Sequence, residues 1–295
     1  MRPAFFLFAL LALPTMAYGD EAHRLAVYDA FVDRITANYY DPTFAGIDWP
    51  AIRAEGRAKV AAVDDAHLYS DVLYPVTRAF HVSHMTVLEP LPDHPVPLVP
   101  EQRIQAVFDQ RSLAGGIRYV RFDLFSEQDV DRVLAAIDGA GKAGLILDLR
   151  YNQGGRADAQ QHLLDRLLPG NTIYGRNKGR FGEQVMRTDW FGKHYSGPLV
   201  VLIGPESASA AEITAAALKQ RHRATLVGER TSGSVLNAIE FPLLDGGAVQ
   251  VPVADFTTAD GTRIEGVGVM PDIDVTRSAE ADAAFDRAAA ALRPR

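Results

Sequence analysis

No cysteine occurs in the 295 residues. That excludes a disulfide scaffold, a thiolate metal centre and lipid attachment at an N-terminal cysteine. Basic residues are also in deficit, with 30 Lys and Arg against 37 Asp and Glu and a formal net charge of −7. The chain therefore lacks the footprint that phosphate backbones require, and nucleic acid is excluded as a partner. Long apolar runs are scarce. The one at the N-terminus, AFFLFALLAL after Arg2, is followed by Pro14 and AYG, the pattern of a signal peptide (1–19) cleaved after Gly19. It is shorter than the roughly 20 residues that span a bilayer. No later run is longer, so the expectation is a periplasmic or secreted protein with no stable membrane insertion after cleavage. Internal repeats are lacking too.

What is present is enough for a real core: 47% of residues are hydrophobic and 23% charged, which suits one or two globular domains. From 20 to 88 the pattern is helical, with Leu25, Tyr28 or Asp29, Val32 and Ile35 at three- and four-residue steps. The segment EPLPDHPVPLVPE then carries five prolines, which excludes a regular helix and predicts an extended linker over 89–103. Beyond it, over 104–295, the texture changes. IQAVFD, GIRYVRFDLF, AGLILDLR, GPLVVLIG and ATLVGE read as short β-strands, with helical stretches after the second, third and fourth. This alternation predicts an α/β domain with a largely buried sheet. The Ala-rich end, with Phe285, Ala289 and Leu292 on one face, predicts a closing helix.

Two junctions attract attention. In GPESASAAEITAAALK, Ser209 with Glu212 three residues on forms a capping box, and on that pattern alone a structural role outweighs a catalytic one. The position nevertheless suits a nucleophile, since a serine between a buried strand and a helix sits at the sheet's rim beside the N–H groups of the first turn. In AGLILDLRYNQGG, Gly154 and Gly155 serve equally well as a tight strand-to-helix turn or as backbone donors to a bound carbonyl.

Three ordered segments carry a resemblance: LILDLRYNQGG, SASAAEITAAALKQRHRATLVGERTSG and GTRIEGVGVMPDIDV. Over Ile117 to Val275 they resemble the serine peptidase family of the carboxy-terminal processing peptidases and the tricorn core protease. The resemblance implies a crotonase-like α/β core domain beside the small N-terminal helical domain. It also implies a serine peptidase in which Ser209, the second serine of S-A-S-A, is the nucleophile and Ser207 a neighbour. An oxyanion hole would come from the N–H of Gly154 or Gly155 and that of Ala210.

The family activates its serine in two ways. The tail-specific branch places a lysine after T-F-G; here the text is TSGS, with Ser234 in that place and Lys219 the last lysine of the chain. A serine hydroxyl is too weak a base for that task. The tricorn-like branch uses a histidine preceded by a serine and supported by a late glutamate, which HVSHMTVL and RIEGVGVMPDI match with Ser83, His84 and Glu265. His81, three residues before His84, raises a metal pair as an alternative, but no third ligand motif accompanies it. No metal or organic cofactor is expected.

About thirty residues separate His84 from GIRYVRF, too few for a tail-binding PDZ module of roughly 80 to 100 residues. The expected partner is a peptide or protein substrate. A non-catalytic peptide-binding relative and an esterase or amidase acting on small acyl compounds stand as alternatives, because the same nucleophile and oxyanion hole serve any acyl transfer.

Overall fold

The computed structural model describes residues 20–90, 107–189, 191–275 and 283–292. The expected signal peptide, 1–19, and most of the expected linker, 91–103, lie outside the described residues.

Helix α1 (Glu21–Asn38) starts where the Asp20 carboxylate accepts the His23 N–H at 2.7 Å, filling one of the orphan donors of a helix start. Its buried face is Val27, Tyr28, Phe31, Val32 and Ile35. Helix α2 (Trp49–Val60) opens on Pro50, whose missing N–H costs nothing in a first turn, with Asp48 as its cap. A short α3 (Asp65–His67), a wide π-type segment Leu68–Leu73 and α4 (Tyr74–Arg78) complete the helical region. Strand β1 (Thr86–Leu88) follows.

The second half alternates as its sequence predicts. Strands β2 (Phe108–Ser112) and β3 (Arg118–Phe122) precede α5 (Glu127–Asp138); β4 (Leu145–Asp148) precedes α6 (Ala157–Leu167). After the hairpin of β5 (Ile173–Gly179) and β6 (Gly182–Arg187) come β7 (Leu199–Ile203), α7 (Ala210–Gln220) and β8 (Thr225–Gly228). The chain ends through β9 (Asn237–Pro242), β10 (Ala248–Thr258), β11 (Ile273–Asp274) and α8 (Ala283–Ala291). Of the first expected strand, IQAVFD, residues 104–106 lie outside the described residues, and β2 runs over Phe108–Ser112.

One sheet has the order β11-β8-β7-β4-β3-β2, parallel except for β2. Its central strands, β4 and β7, are apolar apart from Asp148 because both faces are covered. Leu145 and Leu147 of β4, with Leu199, Val201 and Ile203 of β7, pack in the core shared with α5, α6 and α7. Ile146, Val200 and Leu202 point the other way, toward Ala288 of α8 and Leu292 just after it. Removing one such side chain, as in Leu147→Ala, costs about 2–5 kcal/mol. Parallel strands with crossover helices send their connecting loops to the carboxyl edge, where ligands of open α/β sheets bind.

The second sheet, β1-β10-β5-β6 with β9 on β10, is antiparallel. It joins the helical region to the rest: Val87, Val249 and Val251 share one core with Phe31, Ile35, Leu73 and Phe80.

Candidate active site

Three loops at the carboxyl edge of the parallel sheet converge. After β4 the chain turns through Asn152, Gln153, Gly154 and Gly155. After β7 it runs from Gly204 to Ser209, and after β8 it passes Thr231 to Ser234.

The two serines of S-A-S-A behave differently. Ser207 is fully buried; its hydroxyl donates to Leu149 O at 2.7 Å and accepts the Gly204 N–H at 3.0 Å. It ties the β7 loop to the β4 loop and has no oxygen to spare. The Ser209 side chain makes no hydrogen bond to another side chain, and it lines a cavity of about 280 Å³ together with His84, Gly155 and Ala210. Ser209 has φ 54° and ψ −119°, a backbone region costing an L-residue about 1–3 kcal/mol. Its N–H is held from two sides, by Ser234 O at 2.9 Å and by the Glu212 carboxylate at 3.2 Å.

Glu212 does far more than cap a helix. It is fully buried and accepts from Ser209 N, Gly233 N and Ser234 N, and from the hydroxyls of Thr231 and Ser232. Charge-assisted bonds to a carboxylate are roughly twice as strong as neutral ones. Four of them bind the TSGS turn to the start of α7, and the fifth holds the N–H of Ser209. Sequence reasoning missed this role, because four of the five donors lie about twenty residues downstream. Ser234, where the other branch has lysine, contributes its backbone N–H and C=O to this arrangement.

The NQGG turn is fixed by Asn152, which is fully buried. Its amide donates to Phe122 O at 2.9 Å and accepts the Gly154 N–H at 2.9 Å. Gly154 therefore has its N–H occupied. A Cβ there would meet the Ser209 Cβ at 2.6 Å, so only glycine allows the two loops to touch. The Gly155 N–H makes no hydrogen bond among the described residues, and Gly155, unlike Gly154, lines the cavity. The Ala210 N–H, in the first residue of α7, likewise has no acceptor among the described residues.

His84 arrives from the helical side, just before β1. Its Nδ1 lies 2.8 Å from the Ser83 hydroxyl, which donates to Glu265 Oε2 at 2.9 Å. The Ser83 N–H binds Glu265 Oε1 at 2.8 Å, and Val235 N–H binds Oε2 at 2.9 Å. Glu265 is buried. Since the hydroxyl's single proton goes to the carboxylate, it must accept from Nδ1–H, which leaves the lone pair of neutral imidazole on Nε2. Burial pushes the His84 pKa below its ordinary 6.5, while the Glu265 and Glu212 carboxylates pull it partly back up. No hydrogen bond joins His84 to Ser209. His81 is exposed, and among the described residues no three His, Cys, Asp or Glu side chains group as a metal site.

Residues 114–275 match the model of peptidase family S41. The chain belongs to that family. Residues 20–74 also match the tricorn protease C1 domain. A carboxyl-terminal-processing protease of Synechocystis is 38% identical over 173 residues, covering 57% of this chain and 40% of that protein. A carboxy-terminal processing protease of Bacillus subtilis is 32% identical over 162 residues, covering 54% and 34%. This S41 chain thus aligns with about 40% or less of the length of these relatives. Among solved structures, a photosystem II D1 C-terminal processing protease superposes with a TM-score of 0.65 at 21% identity, over 86% of this chain and 93% of that one. The tricorn protease superposes with a TM-score of 0.67 at 17% identity, over 92% and 36%. The mixed α/β fold with a helical N-terminal region is that of S41 structures. No helix among the described residues is long and apolar enough to cross a membrane.

Proposed function

We propose that this chain is a serine peptidase that cleaves peptide bonds through an acyl-enzyme on Ser209, with His84 as general base. The observation that carries the reading is the contrast between the two serines. Ser207 spends its hydroxyl on structure, whereas Ser209 presents its own to a cavity shared with a histidine whose Nε2 is unprotonated and unpaired.

In the first step Nε2 of His84 takes the Ser209 proton as Oγ bonds to the substrate carbonyl carbon. The carbonyl π pair moves onto oxygen, where the N–H groups of Gly155 and Ala210 receive it; each such donor contributes about 3 kcal/mol. Gly155 suits this role better than Gly154, whose N–H already serves Asn152. The imidazolium then protonates the leaving amine as the C–N bond breaks. Water, deprotonated by the same nitrogen, hydrolyses the ester. Ser83 and Glu265 hold the ring's tautomer and stabilise its positive form. The depressed pKa keeps His84 neutral near pH 7, as a base must be.

The substrate is a peptide or protein, and an N-terminal leader removed after Gly19 would deliver the enzyme to the periplasm or exterior. The missing Ser209–His84 hydrogen bond is the one feature that suits a binding-only relative. Catalytic hydrogen bonds are often long in free enzymes and tighten with substrate. A serine-directed phosphonate probe decides between them: mass mapping of the adduct to Ser209 supports the peptidase, and an unlabelled folded protein overturns it.

A further inference from the structure

Helix α6 buries Ala159, Gln160, Leu163, Leu164 and Leu167. Leucines three, four and seven residues after Gln160 share its face, a spacing that calls for an apolar residue at 160. The glutamine there is 2% exposed. Its Nε2 is buried with no hydrogen-bond partner among the described residues. Leaving a buried polar group unpaired costs about 1–3 kcal/mol, which the fold would avoid with a methionine of the same length.

This amide lines the cavity that holds Ser209 and His84. Other walls include apolar Ala157, Met186, Ile213 and Phe256 and polar Asn237 and Gln250, and among the described residues no Asp, Glu, Lys or Arg side chain faces the space. Asn177 stands nearby, with its Nδ2 on the Met186 sulfur at 3.5 Å. At about 280 Å³ the cavity is near the lower limit of small-ligand sites, which start at roughly 300 Å³. It suits a single amino-acid side chain and its backbone.

We propose that Gln160 forms the floor of a side-chain subsite beside Ser209 that selects an uncharged residue ending in an amide, glutamine or asparagine, on the acyl side of the cleaved bond. A primary amide supplies an acceptor for the idle Nε2–H and can also donate to Oε1, so one partner serves both ends of Gln160. A carboxylate or ammonium would enter with no countercharge among the walls, at a high desolvation cost. The proposal rests on the peptidase reading for its cleavage step but not for its binding step.

The test uses otherwise identical peptides with Gln, Asn, Met, Leu, Glu or Lys at that position. kcat/KM is measured for the wild type and Gln160→Met, and the affinities of the same peptides are measured on Ser209→Ala. The wild type should favour Gln over the isosteric Met by on the order of 10- to 100-fold. Gln160→Met should bring that ratio to about 1 or below, lowering kcat/KM for the Gln peptide more than for the Met peptide, and should raise the melting temperature because the unpaired buried amide is gone. Gln160→Asn, which retains the amide one methylene further back, should raise the Gln-over-Asn ratio. A ratio unchanged in Gln160→Met, as for an amide that serves only structure, overturns the subsite and leaves the peptidase standing. Amide-selective binding without hydrolysis overturns the peptidase and leaves the subsite standing. Neither cleavage nor amide-selective binding overturns both.

Discussion

The two halves of the site are built by different means. The half holding Ser209, Gly155 and Ala210 comes from neighbouring loops of one parallel sheet, and three buried side chains, Ser207, Asn152 and Glu212, lace those loops together. The half holding His84 comes from another core and another sheet, and one carboxylate, Glu265, fastens it to the rest. An oxyanion hole has to be rigid before substrate arrives, because reorganising dipoles during reaction forfeits their advantage. A base needs only the right nitrogen and the right proton, which a short relay of hydroxyl and carboxylate provides.

The widest effect separates the nucleophile from everything else. Ser209→Ala should lower kcat/KM by on the order of 10⁵-fold and abolish phosphonate labelling, with the fold intact by circular dichroism. His84→Ala should follow at about 10⁴-fold. Labelling of that variant at the wild-type rate would make the histidine structural and end the distinction between the two halves.

Glu265→Gln should cost about 10²- to 10³-fold, since it supports the ring without sharing in bond making. It also sharpens the comparison through pH. In the wild type, kcat/KM should fall as pH drops through the His84 pKa, with its acid limb below 6.5 because burial lowers that pKa. Glu265 opposes the lowering, so removing its charge should move the limb to still lower pH. A limb that moves upward contradicts this coupling.

On the rigid side, Glu212→Gln places an NH₂ among donors that need acceptors. It should destabilise the protein by about 3 kcal/mol in urea titration and reduce turnover about 10²-fold with an unmoved pH profile. The smallest catalytic effect belongs to Ser207→Ala, which should lose about 1–3 kcal/mol of stability and keep activity within a few-fold.

Much of the parallel sheet was legible in the sequence because strands covered on both faces are continuous apolar runs. The second sheet was not. β5 and β6 read IYGRNKG and GEQVMR, glycine-rich and polar, while β10 carries Pro252 at an irregularity in its pairing and alternates buried with partly exposed residues. Ser209, Ser83, His84 and Glu265 were named through ordered motifs, but what holds them was not. The capping-box pattern sees Glu212 three residues from Ser209 and is blind to Thr231 through Ser234. Gln160 did leave a signal, a polar residue in an apolar slot of α6, which only gains meaning once the cavity beside it is known.

The pairing of β1 with β10 sets Thr86 opposite Gln250, contacts far apart along the chain. Such closures come late in folding, since a long loop has to be ordered before they repay its entropy. His84 is two residues from that pairing, and Glu265 follows β10. His84 precedes Ser209 in the chain, but the carboxylate that holds its hydroxyl partner comes last, at Glu265. The site as proposed is therefore complete only when the two distant ends of the chain have met, and no single segment carries it alone.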